Sequence, residues 1–519
     1  MTSILKYLNR ALLALLLAAF AACSDNEGGN ESNGNGDDGN TETPADGDTY
    51  GYIKDTNGNP VEGVVVSDGY SCTATDAEGR YALTRNADAG FVFYSLPSAY
   101  KVSVDKTYKL PRFFARLQAG TARYDFTLEA LAAPEKRFDL ICIGDPQINE
   151  ASHAVRFKEE AGREIREYAA SAGVPCYGIT LGDHVNNKWT LFTNMVVALQ
   201  PEQTGVPVFA TIGNHDHEFP TADEKAARAK YESYFGPVDY SFNRGDVHIV
   251  SMDNVLYEGK KKYKGGITDK QLEWLRQDLS HVDKDKLVIF CAHIPFRGGT
   301  SVTDESHENY DGVLDLLSGF SEAHIMIGHT HYHQKYIHKR NGKTILEHVH
   351  GAACGAWWTA NICADGTPNG YSVYEISGNT IANQYYKSTN KEAGYQIRAY
   401  SATQVFGKSG SLTFGWAANS PAMNDAKCIV ANVWNCDPAW TVEMHADGGR
   451  PVRMERTTAV DPQARRLYAD ASKLDHKWIT VTPSDHYYAA PLPAGTRRVE
   501  VTARDRFGNT YRAEKRINR

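Results

Sequence analysis

The alternation of apolar and polar positions divides the chain into five stretches. Residues 11–22 form an unbroken apolar run. It falls short of the roughly 20 residues a membrane-spanning helix needs and has the length of a secretory hydrophobic core. Residues 24–48 are Gly, Asn, Asp, Glu, Ser and Thr with almost no apolar side chain, and such a segment cannot bury enough surface to offset its ordering entropy. From Tyr50 to Leu131, short alternating runs are separated by turn residues. GYIKDTNGNPVEGVVVSDGYSCTATDAEGRYAL reads as strand, Asn-Gly turn, strand, Asp-Ala-Glu-Gly turn and strand. From 134 to 388, apolar runs of strand length alternate with helical spacing. Phe138–Ile143, Tyr177–Leu181, Val206–Ile212, Leu287–Ala292 and His324–Ile327 read as buried strands. Val155–Ala170 reads as a helix, and Thr268 as the N-cap of another running through Leu279. From 389 to 519 the strand alternation returns, in Trp440–Met444, Trp478–Val481 and Arg497–Val501. The expected fold is multi-domain, a central α/β–β sandwich flanked by two all-β sandwiches. Its segments are 1–23, 24–49, 50–132, 134–388 and 389–519.

Composition refines this at the amino terminus. The 519 residues are 42% hydrophobic and 23% charged, with net charge -8, ordinary for a globular protein. Lys6 and Arg10 are the only charges before Cys23, and Ser24–Asp48 holds eight acidic residues and no basic one. The remainder is near neutral and lacks the basic field of a nucleic-acid partner. Phe20-Ala21-Ala22-Cys23-Ser24 resembles a bacterial lipoprotein cleavage box, which makes Cys23 the lipidated first residue of the mature protein. A plain signal peptide that happens to precede a cysteine is the alternative. Several acyl chains anchor stably where one is marginal. Ser24-Asp25-Asn26-Glu27 also resembles the acidic export tags of surface lipoproteins in some Gram-negative bacteria. The expected location is the cell envelope, as an outer-membrane lipoprotein, periplasmic or surface-exposed, held by a lipid anchor. Of the other cysteines, Cys142, Cys176 and Cys291 sit in strand-like runs as packed thiols. Cys354 with Cys363, and Cys428 with Cys436, are close enough in sequence to pair, which sequence alone leaves open.

The candidate chemistry lies at the ends of the five central strands. FDLICIG is followed by Asp145, YGITLG by Asp183, VFATIG by Asn214, LVIFCA by His293 and HIMIG by His329. Ligands in layered α/β folds bind in loops beyond the carboxyl ends of strands. Five strands therefore deliver Asp, Asp, Asn-His, His and His-x-His to one rim. The glycines before Asp145, Asp183, Asn214 and His329 are expected to let the chain turn sharply. No G-x-S-x-G surrounds a candidate serine nucleophile and no Walker-type loop is present.

Motif by motif, GDPQ, GDHV, GNHD, AHIP and GHTH resemble the calcineurin-like metallophosphoesterases, over about Asp139–Tyr371. The resemblance implies that Asp183 bridges two metal ions. Asp145 and His331 complete the first site, and Asn214, His293 and His329 the second. His215 acts as the acid beside the leaving group, with Asp216 orienting it. Mixed oxygen and imidazole donors suit Zn, Fe or Mn, as divalent or trivalent ions, with Mg admissible. The implied reaction is hydrolysis of phosphomonoesters or phosphodiesters by attack of metal-bound hydroxide. The family's first motif usually reads Asp-x-His, and here it is Asp145-Pro146-Gln147. Gln147 is then a ligand, as in the branch that carries D-P-Q, or holds a metal-bound water, or marks a weakened first site. Residues 50–131 resemble carboxypeptidase-regulatory-like (transthyretin-like) sandwiches. The carboxyl-terminal part resembles the β-sandwich that accompanies this branch. Expected substrates are phosphorylated small molecules or envelope glycans. The rival reading is a surface glycan- or protein-binding lipoprotein with an idle central domain.

Further candidates surround the rim. His184 either touches substrate or supports a ligand. Adjacent Trp357 and Trp358 point to opposite sides if extended, so one either faces the site, where it can stack on an aromatic or sugar substrate, or simply packs. His350 is a rim candidate, and Asn254 and Tyr257 are cleft-lining candidates. His217 reads as a loop residue, and His248 and His324 as packed. Arg450, Arg453 and Arg456 read as a solvated face.

Overall fold

The structure, a computed structural model, describes residues 47–517 except 222, 260, 298–307 and 402–427. Cys23 and nearly all of the 24–49 segment lie outside the described residues.

The centre of the chain is built from two sheets. The first has the order Val208–Thr211, Cys176–Leu181, Arg137–Ile143, Gly370–Ser377, Thr380–Ser388. Its first three strands are parallel and its last two antiparallel. The second has the order Tyr240–Arg244, Val247–Ser251, Leu287–Cys291, Glu322–Ile327, Lys343–Val349, Gln334–Arg340. Its four inner strands are parallel and both edge strands antiparallel. Leu140, Cys142, Ile179 and Leu181 share one buried cluster with Ile249, Val288 and Ile325 of the second sheet. Ile141 and Ile143 point the other way and pack with Phe157, Ile165 and Phe192. Strands buried on both faces read as continuous apolar runs, which is why these were recognisable.

The outer layer of the first sheet includes a helix that begins at Ala151 and ends at Ser171, passing through a π-turn over Lys158–Gly162. Helix Asp269–Ser280 starts at Thr268, whose hydroxyl accepts from Gln271 N–H while the Gln271 side chain accepts in return. Such a cap contributes about 1 kcal/mol.

At the amino-terminal end, one sheet pairs Arg80–Leu83, Thr49–Asp55 and Phe126–Leu128. A second pairs Cys72–Ala74, Val65–Ser67, Phe91–Tyr94 and Phe114–Arg116. Both join the central core without a break: Val66, Phe93 and Leu128 belong to the cluster that holds Trp274 and Phe242. Buried Arg244 reinforces this, donating to the carbonyls of Ser98 (2.8 Å) and Tyr100 (2.7 Å) and to Glu135 (2.9 Å).

The carboxyl-terminal part has two four-stranded sheets. One is Arg398–Ser401, Cys428–Asn432, Ser484–Pro491 and Glu455–Ala459, and the other Val452–Arg453, Thr441–Ala446, Arg498–Arg504 and Thr510–Arg516. Two expectations change here. This part also carries a helix, Pro462–Tyr468, capped by the Asp461 carboxylate on Gln463 and Ala464 N–H. Asp followed by Pro at the first helical position is a start signal that strand alternation masked. Trp478–Val481 is a loop rather than a strand, because Ile479 turns inward to pack with Ala356, Ile362, Ala464 and Tyr468. No disulfide joins the eight cysteines among the described residues, so neither suggested pair is formed.

Candidate metal centre

The carboxyl ends of five parallel strands meet where the two central sheets adjoin. The strands ending at Ile143, Leu181 and Thr211 present Asp145, Asp183 and Asn214. Those ending at Cys291 and Ile327 present His293 and His329. The glycines ahead of four of them work differently from expectation. Only Gly182 has a left-handed backbone, φ 94°. Two of the other three are needed for close approach: a Cβ on Gly213 would sit 2.3 Å from the Asp183 carboxylate, and one on Gly328 would sit 2.7 Å from Asp145 Oδ2. The left-handed conformations fall on the functional residues themselves. Asp145 (φ 39°), Gln147 (35°), Asp183 (51°), His329 (73°), His331 (57°), Trp357 (47°) and Trp358 (67°) all adopt them. Each costs on the order of 1–3 kcal/mol and persists only when its surroundings over-determine it.

Two ligand-like groups share one carboxylate. Asp183, His293 and His329 offer donor atoms within 4.8 Å of one another, and so do Asp145, Asp183 and His331. Asn214 Oδ1 is 3.0 Å from His293 Nε2 and 2.9 Å from His329 Nδ1, and those two nitrogens are 3.2 Å apart. Asp183 Oδ2 lies 3.3 Å from His293 Nε2, and Asp145 Oδ1 lies 3.4 Å from His331 Nε2. Donors that hold an ion at about 2.0–2.2 Å stand about 3 Å apart from each other. Gln147 Nε2 is 3.2 Å from Asp183 Oδ2, and its amide oxygen is buried without a hydrogen-bond partner. An orphaned buried acceptor of this kind is costly and fits ligation. The donor set, oxygen and imidazole without thiolate, suits Mn, Fe or Zn.

Electrostatics favour the metal-ready protonation state at Asp183 and His329 and oppose it at His293, whose proton a bound cation would displace. Burial pushes the Asp183 carboxyl up, but the His293 and His215 imidazoles more than offset this and hold it well below the usual carboxylate range. Burial pulls His293 down, yet the Asp183 carboxylate outweighs it and raises the imidazole to about 9. His329 is lowered to about 3 by burial and by the neighbouring His293. A carboxylate and an imidazole kept free of protons retain the lone pairs that a metal requires.

The supporting contacts redistribute several sequence expectations. His215 N–H donates to Asp183 Oδ1 (2.8 Å), and its ring Nδ1 is buried without a partner. Asp216 does not orient that ring. Its carboxylate accepts from His184 N–H, Val185 N–H and Gly213 N–H, stapling two of the strand-end loops together. Asn214–Asp216 is a 3₁₀ turn, in which successive side chains diverge by about 120°. Nor does His184 reach substrate. It is fully buried, with Nδ1 2.9 Å from Asp216 Oδ2 and Nε2 2.7 Å from Thr180 Oγ1. His217 is more than a loop residue, since it is buried between the Gly213 carbonyl and Asp253. Asn254 does not line a cleft. Its side-chain oxygen accepts from His293 N–H and Ile294 N–H, and its amide donates to the Ile294 carbonyl. Tyr257 likewise braces a loop, donating to the Phe219 carbonyl. His350 is buried, bonded to the Ile327 carbonyl and Tyr374.

The tryptophan pair divides, for a reason other than strand alternation, because both residues are left-handed. Trp357 stacks on His331, with ring centroids 4.4 Å apart and planes at 27°. Trp358 is buried, and its indole N–H donates to the Pro146 carbonyl (2.8 Å), pinning the Asp145–Gln147 loop. Sequence reasoning missed Asp365, Cys354 and Trp478. Asp365 accepts from His333 N–H (2.9 Å) and from His486 of the carboxyl-terminal sheet (2.9 Å). Cys354 Sγ is 3.8 Å from His331 Nδ1. Asp365 lies in Ala-Asp-Gly-Thr-Pro, a turn-type run without a ligand pattern, and strand alternation assigns Trp478 to a strand, so neither carries a signal.

Three family models match the chain. "N terminal of Calcineurin-like phosphoesterase" covers residues 48–131, "Calcineurin-like phosphoesterase" covers 124–333, and "C terminal of Calcineurin-like phosphoesterase" covers 347–511. A manganese-dependent ADP-ribose/CDP-alcohol diphosphatase of Arabidopsis thaliana is 31% identical over 72 residues, 14% of this chain and 23% of that protein. Among solved structures, a purple acid phosphatase from yellow lupin (Lupinus luteus) seeds aligns with TM-score 0.37 and 16% identity, over 50% of this chain and 53% of that one. A 5'-nucleotidase precursor from Thermus thermophilus aligns with TM-score 0.29 and 11% identity, over 49% of this chain and 54% of that one. The chain thus spans about half the length of each of these structures and less than a quarter of the diphosphatase.

Proposed function

Because the chain belongs to the calcineurin-like phosphoesterase family, we propose that it is a metal-dependent hydrolase that uses two ions to cleave esters of small phosphorylated molecules. One observation carries this reading: a single buried carboxylate, Asp183, belongs to both ligand-like groups. Asp145, Gln147 and His331 would hold one ion beside it, and Asn214, His293 and His329 the other. Bound, the ions would supply positive charge to phosphate oxygens and lower the pKa of the attacking water.

The chain's own groups do the rest. Asp183 is kept ionised by the imidazoles around it and is held in place by His215 N–H. His215 is partly exposed beside Asp183, where its ring would pass a proton to the departing oxygen. Asp216 and Asn254 immobilise the loops that carry Asp183 and His293, which keeps reacting groups in register. Trp189 fixes the backbone at His215 by donating to its carbonyl (3.2 Å).

Small phosphorylated metabolites are favoured because the diphosphatase relative is named for ADP-ribose and CDP-alcohols. Its manganese dependence makes Mn the first ion to test. The amino-terminal signal and Cys23 add the proposal that the enzyme works outside the cytoplasm, tethered by lipid. Replacing Cys23 with Ser should release it from membranes, and retention would count against the tether. The activity itself is tested by turnover of p-nitrophenyl phosphate and bis(p-nitrophenyl) phosphate after reconstitution with Mn, Zn, Fe or Mg. Hydrolysis of at least one ester, abolished by chelation, is expected; inertness with all four metals would overturn the reading.

A further inference from the structure

A line of aromatic rings runs from the first ligand group to the protein surface. Trp357 covers His331, and Trp478 meets Trp357 at 4.4 Å with planes at 82°. His476 lies parallel to Trp478 at 4.9 Å and 14°. Trp478 and His476 come from the carboxyl-terminal part, so the line crosses the boundary between the central and carboxyl-terminal sheets. Trp478 is 55% exposed, the most open large apolar side chain among the described residues.

That exposure is held in place. Asp475 and Thr359 clasp the two segments, with Thr359 Oγ1 donating to Asp475 Oδ2 (3.0 Å) and accepting from Asp475 N–H (3.2 Å). Next to Trp478, Ile479 is buried against Ala356, Ile362 and Tyr468. Tyr468 in turn donates to the Ile362 carbonyl (2.6 Å). His476 stacks on the Trp478 ring, and the clasped loop holds the remaining surface of the indole open to solvent. An indole offers a large flat face at low entropic cost.

We propose that Trp478, with Trp357 and His476, forms a binding shelf for a planar heteroaromatic ring, such as a nucleobase, carried by the group esterified to the phosphate. The assignment rests on the phosphoesterase reading for the position of the phosphate. Two ring-to-ring steps of 4.4 Å separate His331 from Trp478, a gap that a pentose between phosphate and base can bridge. Indole and imidazole faces recognise flat rings of any base by stacking. The shelf therefore selects for the presence of a ring, with little choice among rings.

The test compares the manganese-loaded full chain with Trp478→Ala on adenosine 5'-monophosphate and ribose 5-phosphate, in which an anomeric hydroxyl takes the place of the base. Because Trp478 is 55% exposed, the substitution removes little buried surface, and Trp478→Phe keeps a ring against Trp357 as the control. The kcat/KM for the nucleotide should fall about tenfold relative to that for the sugar phosphate, the size of a lost base stack. Trp478→Phe should recover most of it. Equal losses on both substrates, or no loss on either, would overturn the shelf, and equal losses would point to a sugar-stacking surface. If neither substrate is turned over by the wild type, the phosphoesterase reading fails separately. The shelf is then decided by tryptophan-fluorescence titration. Quenching by the nucleotide and not by ribose 5-phosphate, lost in Trp478→Ala, supports it, and no such difference refutes it.

Discussion

The two halves of the candidate metal centre share Asp183 but are supported in different ways. The half made by Asn214, His293 and His329 is braced by the α/β core. His293 Nδ1 bonds the Leu181 carbonyl of the opposite sheet (2.7 Å), and Asn254 caps the loop that carries His293. The half made by Asp145, Gln147 and His331 leans on the chain beyond strand Lys343–Val349. Trp357 and Cys354 flank His331, Trp358 pins Pro146, and Asp365 links His333 to His486 of the carboxyl-terminal part. One half is thus a property of the central sheets, and the other depends on an added layer. A neutral amide stands in the dependent half, where the family usually has an imidazole.

The comparison can be broken most severely at the shared residue. Asp183→Asn should remove both ions and cost at least about 10³ in kcat, because each ion is worth several kcal/mol of charge stabilisation. Metal analysis and ester turnover check this, and loss of one ion alone would mean that the halves are independent. Next is Asn254→Ala, which leaves His293 N–H and Ile294 N–H buried without an acceptor. At about 1–3 kcal/mol per group, unfolding should show a loss of about 2–6 kcal/mol, and metal affinity should fall in the core-braced half.

These contrasts track how much could be read from the sequence. Strand-end residues were legible because their strands are buried on both faces and end directly in a ligand, as Ile143 leads through Gly144 to Asp145. Residues that brace the loops were not, since their partners are backbone groups brought close only by folding, as Asn254 meets His293. Opposite facing of Trp357 and Trp358 presumes an extended chain, and left-handed backbones at both positions defeat that alternation. The family resemblance implies that Asp216 orients His215, but a 3₁₀ turn disperses the two side chains. Helix Pro462–Tyr468 is signalled by Asp461-Pro462, yet the strand alternation around it hides that start.

Smaller effects sharpen the contrast. Trp358→Phe keeps the ring and removes the bond to Pro146, so it should weaken metal binding in the dependent half about tenfold, the scale of support lost behind a ligand. Competition titration with a chelator reads this, and the core-braced half should keep its affinity. Smallest is Gln147→His, which replaces a neutral amide with a stronger imidazole donor. The ion of the dependent half should become slower to exchange, with turnover changed by only about a fewfold. Identical exchange in both forms would mean that Gln147 does not set the lability of that ion.

The most direct test is metal stoichiometry measured together with ester turnover on wild type and Asp183→Asn. Two ions per chain and chelator-sensitive hydrolysis in the wild type, with both lost in the variant, is the expected result. A wild type that binds no ion, or a variant that turns over like the wild type, would contradict a centre built on Asp183.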